Sequence, residues 1–133
     1  MISAAEALQT GAIALLQEVD GLTGVYPGPP LHASVPCAEA ECGPESDWGH
    51  KSAGGREVRL AVRLRDSGEL PTRIQGLMAA AESALRIPPE TGEWQLVSFV
   101  WLRSRLVREG RGPDASWTGL IEYRARMLEP VAV

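Results

Sequence analysis

A strict alternation of apolar and polar residues over positions 57–65 constrains the fold of this chain more than any other feature. Val58, Leu60, Val62 and Leu64 are apolar, and charged or small residues stand between them. Because successive side chains of a β-strand point to opposite faces, this pattern predicts a strand that buries one face only. Such a sheet is expected to carry helices on its apolar face.

Two other segments have the period of an amphipathic helix. A capping box at Ser3–Glu6 opens the first, whose apolar residues recur at spacings of three and four as far as Val19, before Gly21. The second is predicted to follow Ser67 and to end at Pro88. Its predicted buried stripe consists of Leu70, Ile74, Leu77, Met78, Ala81 and Leu85.

Three more strands are predicted around these elements. A short one covers 35–42, and two long ones, over 94–107 and 117–128, are joined by a polar hairpin loop. The glycine- and proline-containing stretch 43–55 is predicted to be a long loop, and loops of this length tend to be functional or mobile. The segment that follows the first helix, from Val25, is predicted to be a rigid turn with extended backbone.

The order α-β-β-α-β-β predicts an α+β fold. Its simplest form is a four-stranded, largely antiparallel sheet with both helices packed on one face. The 133 residues suit a single domain, 1–133, with enough apolar residues for a core. A net charge of −4 argues against general DNA binding, which needs a basic surplus. No apolar run is long enough to span a membrane and no secretory signal is evident, so we expect a cytoplasmic protein.

The sequence specifies no catalytic, cofactor or metal site. His32, Cys37, Cys42 and His50 match no familiar zinc spacing, and no nucleophile motif is present. An odd spacing of five on one predicted strand puts the two cysteines on opposite faces, so we expect free thiols and no mutual disulfide.

The face of the sheet away from the helices is the predicted interaction surface. The alternation places an apolar centre there, formed by Val97, Phe99, Trp101 and Leu120, with arginines around it. Aromatic residues edged by arginine are typical of protein contacts. The alternative is that part of this patch belongs to the core of the subunit itself, through strand twist or a β-bulge.

The arginines of this face have two functional interpretations. They could pair with acidic groups of a neighbouring copy, which suits a head-to-tail ring, or they could contact nucleic-acid phosphates, which the acidic chain disfavours. The available acidic residues are Glu6, Glu18, Asp20, Glu39, Glu41 and Glu45. The candidate contact residues for a subunit or another partner are Trp48, His50, Lys51, Arg59, Arg63, Arg65, Phe99, Trp101, Arg103, Arg105, Arg124 and Arg126.

Several segments, in their order and spacing, resemble one protein family. They are Val25–Gly28, Asp47–Lys51 leading through Gly55–Val58 into a strand, and Trp117–Gly119 with Tyr123–Arg126. Over nearly the whole chain, the sequence resembles the small tail-completion or tail-terminator proteins of siphovirus-like phages and of bacterial gene transfer agents.

This resemblance implies a structural role without catalysis or cofactor. Such proteins form a ring, usually of six copies, at the head-proximal end of a tail tube, where they stop its elongation. The implied partners are other copies of the chain, the tail tube protein and a head-completion or neck protein, with DNA only as passing cargo and no membrane. The implied location is the tail or neck of a phage-like particle, assembled in the bacterial cytoplasm.

The resemblance also divides the matching segments by role. Val25–Gly28 and Trp117–Arg126 are expected to serve the fold, with Trp117 and Tyr123 as packing anchors. The loop Asp47–Gly55 is the candidate for contact with the tube or a neighbour, and we expect it to be mobile until assembly. Two alternatives remain: a head-completion or neck protein of the same kind of particle, and a dimeric α+β module that binds a small ligand.

Overall fold

The computed structural model describes residues 1–51 and 53–130 of the chain. They form two α-helices and one five-stranded sheet, in which the strands lie in the order β1-β2-β3-β5-β4. The elements are α1 (Ala4–Leu16), β1 (Val25–Tyr26), β2 (Cys37–Asp47), β3 (Gly55–Ser67), α2 (Thr72–Ala84), β4 (Gln95–Glu109), a short 3-10 turn (Gly112–Asp114) and β5 (Ser116–Leu128).

The central strand β3 has the alternation that its sequence predicts. Val58, Leu60, Val62 and Leu64 are buried beneath the helices, and every second residue of β5 is buried on the same side. The helix α1 packs on β2 and β3, and α2 packs on β3 and β5. The prediction of two helices on one face is therefore confirmed, and we call this the helix face and the other side the open face.

The predicted four-stranded sheet is wrong in one respect, because a fifth strand makes the sheet mixed. Val25 and Tyr26 pair in parallel with Ala38 and Glu39, in the segment predicted to be a turn. Two residues are too few for a periodic pattern. Backbone hydrogen bonds fix the segment instead, including one of 2.8 Å from Thr23 N to the carbonyl oxygen of Pro36.

The predicted loop 43–55 is also too long. Residues 43–47 continue β2 after a β-bulge between Cys42 and Glu45, so only 48–54 form the connection to β3. Gly43 and Pro44 lie at this bulge. These two residues favour loops, but an unpaired bulge position also accepts them, since no ladder hydrogen bond is lost there.

The second helix begins at Thr72 and not directly after Ser67. Leu70 therefore precedes the helix and is 71% exposed, against its predicted place in the buried stripe. The other predicted members of the stripe, from Ile74 to Leu85, are buried. Asp66 at the end of β3 joins the two elements, accepting a hydrogen bond of 2.8 Å from Arg73 Nε in the first turn of α2.

The cysteine prediction is confirmed. Both thiols are free. Cys37 pairs with Arg65 on the open face, and Cys42 donates a hydrogen bond of 3.3 Å to the carbonyl oxygen of Ala5 in α1. Burial raises the pKa of Cys42 to about 11, so its thiol stays protonated at neutral pH.

Candidate subunit interface

Two irregularities in β4 decide where its aromatic side chains point. The register against β5 shifts between Leu96 and Ser98 and again between Trp101 and Arg103. Each extra residue turns the following side chains to the other face. As a result Phe99 and Trp101 lie opposite Ala125 and Tyr123, on the helix face.

The predicted position of Phe99 and Trp101 on the open face is therefore wrong. The alternative, that a bulge returns part of the patch to the subunit's own core, is correct for Phe99. Its ring packs against the core and is stacked on that of Tyr123, with 4.8 Å between the ring centroids. Leu120 does lie half-buried on the open face, opposite Arg63 and Arg105.

A groove opens where the helix layer ends. Because α2 packs over β3 and β5, the helix face of the edge strand β4 is left without a covering helix. The resulting α2–β4 groove has a volume of about 540 Å³. Its lining consists of Ala79, Glu82, Ser83, Leu85, Arg86, Phe99, Trp101 and Tyr123.

The walls of the α2–β4 groove are fixed by hydrogen bonds. Trp101 Nε1 donates to Ser104 Oγ at 2.9 Å, and Ser104 Oγ donates to Glu82 Oε1 at 2.8 Å. The indole is thus held toward α2 although Trp101 is 53% exposed. The groove therefore has a preset shape with an aromatic wall.

The hydroxyl of Tyr123 is a polar atom without a partner at the base of this groove. It is buried and makes no hydrogen bond within the described part of the chain. Burial and the nearby charge of Glu82 raise the pKa of Tyr123 to about 12. The hydroxyl keeps its proton at neutral pH and can donate a hydrogen bond to an acceptor that enters the groove.

Most candidate arginines of the open face already have partners in the same chain. The pairs are Arg63–Glu41, Arg65–Glu39, Arg124–Glu57, Arg126–Glu57 and Arg103–Glu122. Arg103 Nε donates to Glu122 at 2.8 Å, and this hydrogen bond, with the charges of Arg105 and Arg59, lowers the pKa of the Glu122 carboxyl. These pairs tie adjacent strands together.

Two candidate arginines differ from the others. Arg59 and Arg105 are exposed and form no direct ion pair with a carboxylate in residues 1–51 or 53–130. The charges of both arginines lower the pKa of Glu122, a carboxylate that already forms an ion pair with Arg103. The surface around Glu122 therefore has a local surplus of positive charge.

The shortened loop, of which the structure describes 48–51 and 53–54, lies at the end of the sheet away from the open-face residues Arg63 and Arg65. Trp48 is half-buried, and the guanidinium of Arg126 lies 5.6 Å from its ring centroid. His50 and Ala53 exchange backbone hydrogen bonds across the turn, and Lys51 is exposed. The structure thus brings Trp48 and Arg126 together, whereas Phe99 and Trp101 lie on the opposite face.

The two edges of the sheet differ in charge. Residues 1–50, which form α1, β1 and most of β2, contain seven Asp or Glu and no Lys or Arg, a balance of −7. The β4–β5 hairpin, residues 95–128, contains six Arg and three Asp or Glu, so 6 − 3 = +3. Glu39, Glu41 and Glu45 pair with arginines of β3, so the other four carboxylates of residues 1–50 carry the acidic excess. Because β1 and β4 are the edge strands, one edge of the molecule is acidic and the other is basic.

An exposed leucine marks the acidic edge. We call residues 27–35, between β1 and β2, the edge loop; Leu31 at its centre is 95% exposed. The ends of the edge loop are fastened: Gln9 Nε2 donates to the carbonyl oxygen of Pro27 at 2.8 Å, and the Thr23 hydroxyl donates to that of Ser34. Sequence reasoning missed both Leu31 and the groove.

Other kinds of site find no support in the part of the chain that the structure describes. Among those residues, no three potential metal ligands come together. Within the same residues, neither helix has the length and apolarity that crossing a bilayer requires.

Comparison with known proteins identifies a similar fold. No family model matches the sequence, and no curated protein matches it significantly. A solved structure does match: a chain of the virion of a native gene transfer agent particle, with a TM-score of 0.74 and 22% sequence identity. The match covers 96% of this chain and 99% of that one. From end to end, this protein therefore has a fold similar to that of a virion chain of a gene transfer agent.

Proposed function

We propose that this protein is a structural subunit of a phage-like particle, related to gene transfer agents. In this proposal the chain assembles head-to-tail into a ring, and the expected number of copies is six. The ring caps the head-proximal end of the tail tube and joins the tube to the neck. The observation that carries the proposal is the fold similarity to a gene transfer agent virion chain, which spans both chains almost completely. The sequence resemblance to tail-terminator proteins supports the finer role.

The exposed edge strand supports assembly with other chains. β4 is 15 residues long and carries exposed apolar side chains at Val97, Val100, Trp101 and Val107. A long edge strand with exposed apolar residues is a contact site or an aggregation risk. The acidic and basic edges support a contact in which each copy presents a different surface to each neighbour, as a ring requires.

Native mass spectrometry and a tube-assembly assay test this function. We expect a mass near six times 14.3 kDa, either for the protein alone or after the tube protein is added. When the ring is present during tube polymerisation, tubes are expected to be shorter and capped at one end in electron micrographs. Tubes of unchanged length without bound protein would contradict the terminator role.

The same assay separates the two other candidates. A head-completion protein would bind the head portal but leave tube length unchanged. A small-ligand module would be a stable dimer, and the α2–β4 groove, with its aromatic wall and the Tyr123 hydroxyl, is the place where it would bind a ligand.

A further inference from the structure

We infer that neighbouring copies join by inserting Leu31 of one subunit into the α2–β4 groove of the next. The inference rests on the proposed self-assembly and names the two surfaces that meet. The edge loop is at the β1 end of the sheet and the groove is at the β4 end. Each copy thus has one surface of each kind, and contacts of this type continue from copy to copy.

The edge loop has the properties of a preformed anchor. Leu31 has the largest exposed fraction of any large apolar side chain in the described residues. Pro29 and Pro30 precede it, and proline restricts the backbone before binding, so less conformational entropy is lost on docking. The hydrogen bonds of Gln9 and Thr23 hold both ends of the loop in place.

The α2–β4 groove has the chemistry that such a segment needs. Proline-rich segments dock into grooves lined by aromatic side chains, because their stiff backbone loses little freedom and presents carbonyl acceptors. Here Trp101 and Phe99 supply the aromatic surface, and Leu85 adds an apolar base. The Tyr123 hydroxyl is a buried donor without a described partner, and a carbonyl of residues 29–31 supplies the missing acceptor.

Charge complementarity favours a second copy as the occupant. Glu18 and Asp20 are exposed and precede the edge loop in the chain, in a region of 50 residues with no Lys or Arg. Arg86 is exposed and lines the groove, whereas Arg103 and Arg105 lie on the open face of β4, away from it. Docking the acidic edge of one copy at the groove of the next places those carboxylates on the side of Arg86.

Complementation between two variants tests the contact. Leu31→Asp removes the anchor and leaves the groove intact, whereas Ser83→Arg fills the groove and leaves the anchor intact. Both positions are exposed, so both variants are expected to fold, as circular dichroism and thermal unfolding will check. Each variant alone is expected to be monomeric under conditions in which the wild type assembles. An equal mixture is expected to contain one functional contact and to form a dimer of two times 14.3 kDa.

Matched variants make the result specific. Leu70→Asp, at another exposed leucine outside both surfaces, is expected to assemble like the wild type. Tyr123→Phe is expected to weaken assembly about tenfold without lowering the unfolding temperature, because it removes one buried donor at the contact. If Ser83→Arg does not fold, Ala79→Arg on the same exposed wall of the groove replaces it.

The outcomes distinguish this contact from ring formation itself. A Leu31→Asp protein that assembles as tightly as the wild type overturns the inference and leaves the proposed function standing. A mixture of the two variants that stays monomeric also overturns it. A wild-type protein that never self-associates, even with the tube protein present, overturns both.

Discussion

Gly11 occupies a position in α1 that has no room for a side chain. A Cβ there would lie 2.2 Å from the carbonyl oxygen of Glu90 and 3.1 Å from two further backbone atoms of that residue. The segment before β4 therefore crosses α1 in direct contact. We expect Gly11→Ala to lower the free energy of unfolding by about 1–3 kcal/mol, the usual cost of overpacking, despite the better helix propensity of alanine. Urea unfolding measures this change.

Gly76 provides the matched control. It lies inside α2, and a Cβ there meets no atom within 4 Å. Gly76→Ala is therefore expected to raise the free energy of unfolding by about 0.5–1 kcal/mol through helix propensity alone. Equal effects of the two substitutions would contradict the close crossing at Gly11.

At the scale of the elements, Asp66 connects the end of β3 to the start of α2. Its carboxylate is buried and accepts hydrogen bonds from Ser67 N and from Arg73. The hydrogen bonds from Arg73 lower the pKa of Asp66 below its usual value. The stabilisation is therefore complete above the unfolded-state pKa of about 3.9 and is lost as the pH falls through the lower folded-state pKa.

We expect Asp66→Asn to reduce the decline in stability of the folded protein on acidification below about pH 4. Chemical unfolding across that pH range, for the variant and the wild type, measures the difference. Arg73→Gln is expected to reduce the same decline in stability by a similar amount. The double variant should show little further reduction beyond that of either single variant. Fully additive effects would show that the two side chains act separately.

The strands differ in how well their sequences predict them. In β3 and β5 the alternation is unbroken, and both the strands and their buried faces were predicted correctly. In β4 apolar residues occur at odd and even positions, so a pattern of period two cannot locate the two register shifts. The faces of Phe99 and Trp101 depend on those shifts, which arise from pairing with β5 and not from local sequence preference.

The candidate site was less predictable than the sheet. The α2–β4 groove exists because the helix layer ends before the edge strand, and this depends on where α2 packs. The exposure of Leu31 likewise depends on how the edge loop is fastened. The charge difference between the edges was visible in the sequence, since residues 1–50 contain no Lys or Arg, but its position in space required the strand order.

At the scale of the whole molecule, the acidic and basic edges predict that assembly depends on salt. We expect the proposed ring to dissociate more readily as salt rises from about 0.1 M to about 1 M, where the Debye length falls from about 10 Å to about 3 Å. Analytical ultracentrifugation at fixed protein concentration measures the change. Stronger assembly at high salt would show that apolar contact dominates instead.

The arginines without a direct partner supply the control for this experiment. Reversing Arg59 and Arg105 to glutamate is expected to leave the chain folded, because neither forms a direct ion pair with a described carboxylate. The variant should assemble more weakly and with a smaller salt dependence. Reversal of Arg63 or Arg65 should instead lower stability, because each pairs with a glutamate of β2.

The separation of charge between the two edges also gives the subunit an electric dipole directed across the sheet. In an open arc of head-to-tail copies, one end remains acidic and the other basic, so each end attracts a further copy. In a closed ring, rotational symmetry cancels the dipole components that lie in its plane. Closure of the proposed ring therefore removes the field that draws in new subunits, so the charges that bring copies together no longer attract further ones.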